Sequence, residues 1–255
     1  MIKTKNGNLQ INNIYNMDCL EGLKKIEDNT IDLIITSPTY EDISGAGYSG
    51  NTKDVLFLKL YSEFMDKVFS EMYRVLKKDG QIFFNIKSKT HNSELRTPHW
   101  LEFLETFNKF KLKSYIIWKY AGSFDSSKKR FHLDYEIIYH LSKSDDIYLN
   151  VDCGIKDPLT SVWYVPHNIK NRLHPTQMPE LLVERILKIA GKKGDLVLDI
   201  FSGSGTTCLV AKKVGLNYLG FEINPNHVDV SLKRIEKESE ILSMSKDVGT
   251  LSQFL

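Results

Sequence analysis

Cysteine is scarce in this chain of 255 residues: there are three, at positions 19, 153 and 208, far apart and without a C-x-x-C pair. An odd and scattered set supports neither a disulfide framework nor a zinc-finger pattern, so the thiols read as idle and no metal site is expected. Long apolar runs are missing as well. No segment nears the roughly 18 consecutive apolar residues of a membrane span, and Met1 to Asn13 has neither the apolar stretch nor the small-residue cleavage site of a secretory signal, which points to the cytoplasm. Nor is one sign of charge in excess, with 34 Lys and Arg against 32 Asp and Glu. With 42% hydrophobic residues, the chain lies outside the composition of disordered proteins. Internal repeats and low-complexity runs are absent.

What is present is a chain long enough to bury roughly 70–75% of its unfolded surface in one α/β domain with at most a small appended module. Its charge is uneven. From Gln81 to Arg130, ten Lys and Arg stand against four acids, a net +6 that leaves the remainder at −4. A basic stretch on a nearly neutral chain suits a polyanion held on one face.

Short apolar strands alternate with longer amphipathic stretches, the pattern of βα units around a mostly parallel sheet. Strands are predicted at Ile11–Tyr15, Asp32–Thr36, Gln81–Ile86, Lys113–Tyr120, Glu136–Leu141, Leu196–Ile200 and Asn217–Phe221. Helices are predicted at Leu20–Ile26, Leu56–Lys77, Pro98–Phe110, Pro179–Ala190, Thr206–Val214 and Pro225–Glu240. The fourth and fifth strands follow one another without a helix, which predicts an antiparallel hairpin at an edge of the sheet. Between Ser142 and Leu173 the pattern breaks into a turn-rich segment with exposed-looking aromatics, and a structureless loop of that length is usually functional or a small insert.

The strongest local signal runs from Leu196 to Thr207: a buried-type strand ending at Asp199, then Phe201-Ser202-Gly203-Ser204-Gly205-Thr206 opening a helix. Glycines there let a ligand approach a helix N-terminus with its free N–H groups. No Lys follows as a P-loop requires, and Cys208 occupies the place of the third glycine of a dinucleotide fingerprint. The next strand ends at Glu222, followed by Asn224, so a carboxylate suited to both hydroxyls of a ribose stands beside Asp199. Two acids without a phosphate-binding lysine favour a cationic ligand, and the set describes a site for S-adenosylmethionine.

A second signal is Thr36-Ser37-Pro38-Thr39-Tyr40 at the carboxyl end of an apolar strand, where open α/β sheets place ligands. Pro38 holds Ser37 extended. Ser37 and the Pro38 carbonyl are then acceptors beside the flat face of Tyr40, which suits an exocyclic amine on a planar heterocycle. His132, Asp134 and Glu136 alternate along a strand and read as structural rather than as a metal or acid–base cluster.

These residues resemble the amino-group DNA methyltransferases that use S-adenosylmethionine. Thr36 to Tyr40 resembles their catalytic S/D/N-P-P-Y motif, with Thr39 in place of the second Pro. Asp199 to Gly205 resembles their cofactor motif, and His174-Pro175-Thr176-Gln177-Met178-Pro179 resembles HPTQKP, with Met178 in place of Lys. Asn16-Met17-Asp18-Cys19 matches the segment whose acid, here Asp18, contacts the cofactor adenine. The catalytic motif precedes the cofactor motif, which is the circularly permuted order of the family's β group. The resemblance implies a Rossmann-like sheet of seven strands with one antiparallel, a catalytic half at 1–141, a small target-recognition insert at 142–173, a cofactor half at 174–240 and a tail at 241–255. It also implies double-stranded DNA as partner, with a companion restriction endonuclease and a monomer or homodimer both open. Phosphate contacts would fall to Lys87, Lys89, Lys128, Lys129 and Arg130, and base reading to Asn168, Lys170, Asn171 and Arg172. A Ser at the first motif position favours the N4 amine of cytosine. The N6 amine of adenine is the alternative, and RNA or protein amides are a more distant one.

Overall fold

Every predicted strand takes its place in one sheet of the computed structural model, and an eighth strand joins them. The structure describes residues 9–38, 55–87, 89–91, 94–96, 104–121, 128–129, 131–167, 173 and 177–251, with side chains described outside 55–60, 89–96 and 241–251. In chain order the elements are β1 (Asn13–Asn16), α1 (Cys19–Lys25), β2 (Ile31–Thr36), α2 (Val55–Val75), β3 (Leu76–Ile86), β4 (Lys89–His91), β5 (Glu94–Arg96), β6 (Lys111–Lys119) and β7 (Tyr135–Ser142). There follow β8 (Val162–Tyr164), α3 (Glu180–Ala190), β9 (Leu196–Asp199), α4 (Thr206–Lys213), β10 (Asn217–Glu222) and α5 (Pro225–Leu251).

The main sheet has the order β1-β10-β9-β2-β3-β7-β6-β8, and β4 and β5 form a separate two-stranded ribbon. All neighbours in the main sheet are parallel except β7, which runs against both β3 and β6. Central strands read as continuous apolar runs because both faces are covered. On one face lie α1 and α2, whose Leu23, Ile26, Met65, Phe69 and Met72 pack on Ile34, Phe84 and Leu198. On the other, α3, α4 and α5 bring Leu182, Ile186, Val210 and Ile235 against Leu33, Ile35, Phe83 and Val197. The spacing of three and four in α2 and α3 is what directs one stripe of each helix inward.

Three expectations change. The sheet has eight strands, not seven, because β8 arises inside the segment read as lacking regular structure; with Trp163 buried between exposed Val162 and Tyr164, it has a single inward residue and is too short to show a period. Pairing of β8 with β6 moves the β6–β7 hairpin one place in from the edge. In place of the C-terminal part of the helix predicted at Pro98–Phe110, a single 3-10 turn at Phe107–Lys109 seats Phe107 and Phe110 on Phe69 of α2, since the spacing of three suits one tight turn as well as a helix. Residues 98–103 lie outside the described residues. Helix α5 continues beyond the predicted Glu240 to Leu251.

This topology fixes where a ligand goes. From β9 the chain passes through α4 to β10 on one side, and from β2 it passes through α2 to β3 on the other. Strands β9 and β2 are neighbours, so the connections diverge between them and a crevice opens at their carboxyl ends. The permuted order closes on itself in the same sheet: β1, first in the chain, pairs in parallel with β10, the last strand. No helix among the described residues is long and apolar enough to cross a membrane.

Candidate active site

The turn after β9 is wired from behind. Gly205 has φ 75°, and a Cβ there would lie 2.7 Å from the Cβ of Ser231, so glycine is required both by the left-handed backbone and by space. Gly203, at φ 51°, shares that conformation. Ser231 Oγ donates to the Gly203 carbonyl at 2.9 Å. Arg234, also on α5, donates to the Ser204 carbonyl and to Thr206 Oγ1, and its other terminal nitrogen meets Glu180 at 3.1 Å. Ser231 and Arg234 are not among the candidates from sequence. A signal exists all the same: Ser231 interrupts the buried stripe of Val228 and Ile235, and a serine in an apolar stripe needs a partner.

Two carboxylates stand at adjoining strand ends. Asp199, 3% exposed, accepts from Thr36 Oγ1 at 2.8 Å and from the Phe201 N–H at 3.2 Å. Burial, reinforced by the charge of Glu222, pushes its carboxyl up to about 6, against hydrogen bonds from Thr36, Thr207 and the Phe201 N–H that favour the ionised form. Glu222 is held by one backbone donor on each oxygen, the Gly203 N–H on Oε2 and the Asn224 N–H on Oε1, both at 2.8 Å. His227 Nδ1, in the first turn of α5, lies 3.7 Å from Oε1. Asp18 caps α1, with Oδ1 accepting from the N–H groups of Leu20 and Glu21.

These groups surround a cavity of about 620 Å³ at the topological switch point. Of the sequence candidates, Asp18, Ser37, Pro38, Gln177, Asp199, Phe201, Ser202, Gly203, Ser204, Thr206, Glu222 and Asn224 line it. Thr36 and Gly205 do not: Thr36 is fully buried and acts on the cavity by holding Asp199, and Gly205 shapes the turn. Gln177 accepts from the Leu173 N–H at 3.0 Å. Tyr40, His174, Pro175 and Thr176 lie outside the described residues. The cavity also takes in Met17, Cys19, Phe64, Met178, Phe221, Ile223 and His227, which sequence reasoning passes over as cofactor or catalytic candidates. Ile223, 59% exposed directly after Glu222, is the legible one, since a large apolar side chain left open beside a carboxylate offers a flat ligand a surface.

The basic stretch divides into two groups. Lys111 and Lys113, at the amino end of β6 and so remote from the cavity, both pair with Asp145, while Lys119 pairs with Asp134 at 3.3 Å. The +6 of the sequence is therefore not one free face, because acids outside the stretch fold back onto it. Lys87, Lys128 and Lys129 are exposed, and Lys87 Nζ lies 5.9 Å from the centre of the Tyr120 ring. Lys89 is in β4. Arg130, Asn168, Lys170, Asn171 and Arg172 lie outside the described residues. Asp134 and Glu136 take structural partners, Lys119 and Asn85, and no cluster of metal-binding side chains occurs among the described residues.

Comparison with known proteins bears on this site. The family model for N6 and N4 enzymes described as DNA methylase matches residues 31–233, from β2 into α5. Type II methyltransferase M.HpaI of Haemophilus parainfluenzae is 30% identical over 239 residues, spanning 87% of this chain and 73% of that protein. The DNA adenine methyltransferase YhdJ of Escherichia coli K12 is 30% identical over 270 residues, spanning 92% and 86%. Among solved structures, the PvuII DNA methyltransferase (cytosine-N4-specific) shares the fold with a TM-score of 0.71 at 21% identity, over 87% of this chain and 85% of that one. A DNA modification methylase from Thermus thermophilus, complexed with S-adenosyl-L-methionine, does so at 0.70 and 19%, over 89% and 93%. With the matched segment carrying both strand-end motifs and the crevice between them, the chain belongs to the N6/N4 amino-methyltransferase family of DNA methylases.

Proposed function

We propose that this DNA methyltransferase moves a methyl group from S-adenosylmethionine to the exocyclic amine of a base flipped out of DNA, with N4 of cytosine favoured. The observation that carries the reading is the 2.8 Å bond from Thr36 to Asp199. It joins the strand end bearing Ser37 and Pro38 to the strand end bearing the cofactor acids, so that acceptors for an amine and carboxylates for a cation border one cavity.

The donor set fits the cofactor. Each oxygen of Glu222 has one backbone N–H and retains lone pairs for a ribose hydroxyl; Asp199 opposes a cationic centre; Asp18 retains acceptor capacity for an adenine amine; and Ile223 and Phe201 offer apolar surface to its ring. When bound, the cofactor supplies an electrophilic methyl group on a sulfonium. The protein supplies position. Ser37 Oγ and the Pro38 carbonyl accept the two hydrogens of the target amine, which directs the nitrogen lone pair at the methyl, and Tyr40 stacks on the flipped base. No covalent enzyme intermediate is needed. Residues 142–173, the exposed Lys87, Lys128 and Lys129, and Lys89 and Arg130 would serve DNA recognition and phosphate contact, and the type II relatives suggest a companion endonuclease.

Adenine N6 is the second reading, favoured by the likeness to YhdJ. Incubation with labelled S-adenosylmethionine and DNA from a methylation-deficient host, followed by digestion to nucleosides, separates the two. Label in N4-methylcytosine is expected. Label in N6-methyladenine transfers the reading to adenine, and label absent from DNA overturns both.

A further inference from the structure

One strand beyond Ser37, three strand ends meet. Thr36 pairs with Phe84, so Asn85 stands beside Ser37 at one strand spacing, roughly 4.8 Å. Because β7 runs antiparallel, its second residue, Glu136, lies at this same end, as does Tyr120, just past the carboxyl end of β6. Asn85 is 3% exposed and donates through Nδ2 to Glu136 Oε2 at 2.8 Å; Glu136 is buried as well. Two atoms in this cluster, Asn85 Oδ1 and the Tyr120 hydroxyl, are buried and meet no hydrogen-bond partner. A fold rarely keeps two such atoms side by side unless a ligand completes them.

Donor counting identifies what completes them. An ionised carboxylate only accepts, so Glu136 fixes the amide of Asn85 with nitrogen toward itself and oxygen away. With both amine hydrogens taken by Ser37 Oγ and the Pro38 carbonyl, the proton of the Ser37 hydroxyl is the donor left over for Asn85 Oδ1. The Tyr120 hydroxyl, as a donor, suits the ring nitrogen that adjoins the amine in both cytosine and adenine. Thymine and guanine present an N–H there and would leave the hydroxyl opposed by a donor. Resting on the assignment of Ser37 and Pro38 to the target amine, we propose that Tyr120, Asn85 and Glu136 form the wall of the target-base site. Tyr120 donates to the ring nitrogen, Asn85 accepts the Ser37 proton so that the serine lone pairs face the amine, and Glu136 is the positioning residue that orients Asn85. Burial raises the Glu136 carboxyl, while the Asn85 hydrogen bond and the charge of Lys87 favour its ionised form.

The test uses the full chain, DNA from a methylation-deficient host and labelled S-adenosylmethionine, with kcat, KM for DNA, cofactor Kd and Tm measured for each variant. Asn85→Ala and Glu136→Gln should each lower kcat about tenfold, the scale of one lost hydrogen bond, with cofactor Kd unchanged. The swapped pair Asn85→Asp with Glu136→Gln again leaves an outward acceptor, and should restore kcat to near the wild-type value. Tyr120→Phe, which removes one oxygen and keeps the ring packed on Trp118, should lower kcat/KM for DNA about tenfold. Single variants with wild-type kcat, or a swapped pair that recovers Tm but not kcat, would overturn the proposal, as would a fully active Tyr120→Phe. Failure of the underlying reading is separate, since wild-type protein would then label no DNA.

Discussion

The two sides of the crevice are built to opposite plans. On the cofactor side, Asp199 and Glu222 are each held by two donors, and the turn between them is gripped by Ser231 and Arg234 from behind. One strand beyond Ser37, in β3 and at the end of β6, two buried polar atoms are left unmet. A ligand used in every turnover is served by charges fixed before it arrives, which saves reorganisation at the moment of reaction. A base that must first leave a duplex brings its own donors and acceptors, so its wall stays incomplete until the base is in place. If that contrast is right, substitutions on one side should change cofactor affinity, and substitutions on the other should change turnover.

The largest separation is expected from Ser37→Ala. Losing an acceptor aimed at the reacting amine should cut kcat by about 100- to 1,000-fold while cofactor Kd, read by calorimetry, stays within about twofold. An equal loss in both would mean that Ser37 supports the cofactor rather than the amine.

Next comes Asp199→Asn, which keeps an acceptor for Thr36 and the Phe201 N–H but removes the charge. Cofactor Kd should rise by about tenfold or more, with Tm changed little. The wild-type Kd should also depend on pH. The carboxyl of Asp199 is raised to about 6, so it gains its charge as pH climbs through that value, and a cationic ligand should bind more tightly from pH 5 to 7 and level off above. Stability runs the other way: a carboxyl raised in the folded state contributes most below its unfolded value, near 3.8, and that contribution is lost as pH rises through 6. In Asp199→Asn the slope of Kd with pH should vanish.

How much is legible in the sequence follows the same division. Asp199, Glu222 and the glycines are readable because a strand, a tight turn and a helix start impose their residue types over a few consecutive positions. Ser37 and Pro38 are readable for the same reason. Arg234 and Ser231 are not, because their partners Ser204 and Gly203 lie about thirty residues back and the side-chain type says nothing about a distant carbonyl. Glu136 reads as structural from its strand alone, and its hydrogen bond to Asn85 depends on β7 running antiparallel to β3. Lys111 and Lys113 count as part of one basic face in the sequence, since nothing local predicts that Asp145 folds back to them. Single-strand motifs can be read from the chain; pairings across strands need the sheet.

Gly205→Ala tests the turn itself. A Cβ at φ 75° meets the Cβ of Ser231 at 2.7 Å, a buried atom fixed directly to the backbone of α5 rather than a flexible tip, so stability should fall by about 1–3 kcal/mol, measured by denaturant unfolding. Cofactor Kd should weaken in the same variant, because the Gly203 N–H that fixes Glu222 belongs to the displaced loop.

The smallest effect, and the most informative about the contrast, should come from Thr36→Val. The side chain is nearly isosteric and fully buried, so packing survives, and what disappears is the 2.8 Å bond that joins β2 to Asp199. Stability should drop by about 1 kcal/mol, the usual net worth of one hydrogen bond, and without that bond the Asp199 carboxyl should titrate still higher. The midpoint of the Kd profile should therefore move up in pH. Because Thr36 also precedes Ser37, a shift of the strand end would lower kcat as well. A variant that moves the pH midpoint but leaves kcat at saturating cofactor unchanged would show that the two sides of the crevice share a wall without sharing a mechanism. A parallel fall in kcat would show that this one bond sets the distance between donor and acceptor sites.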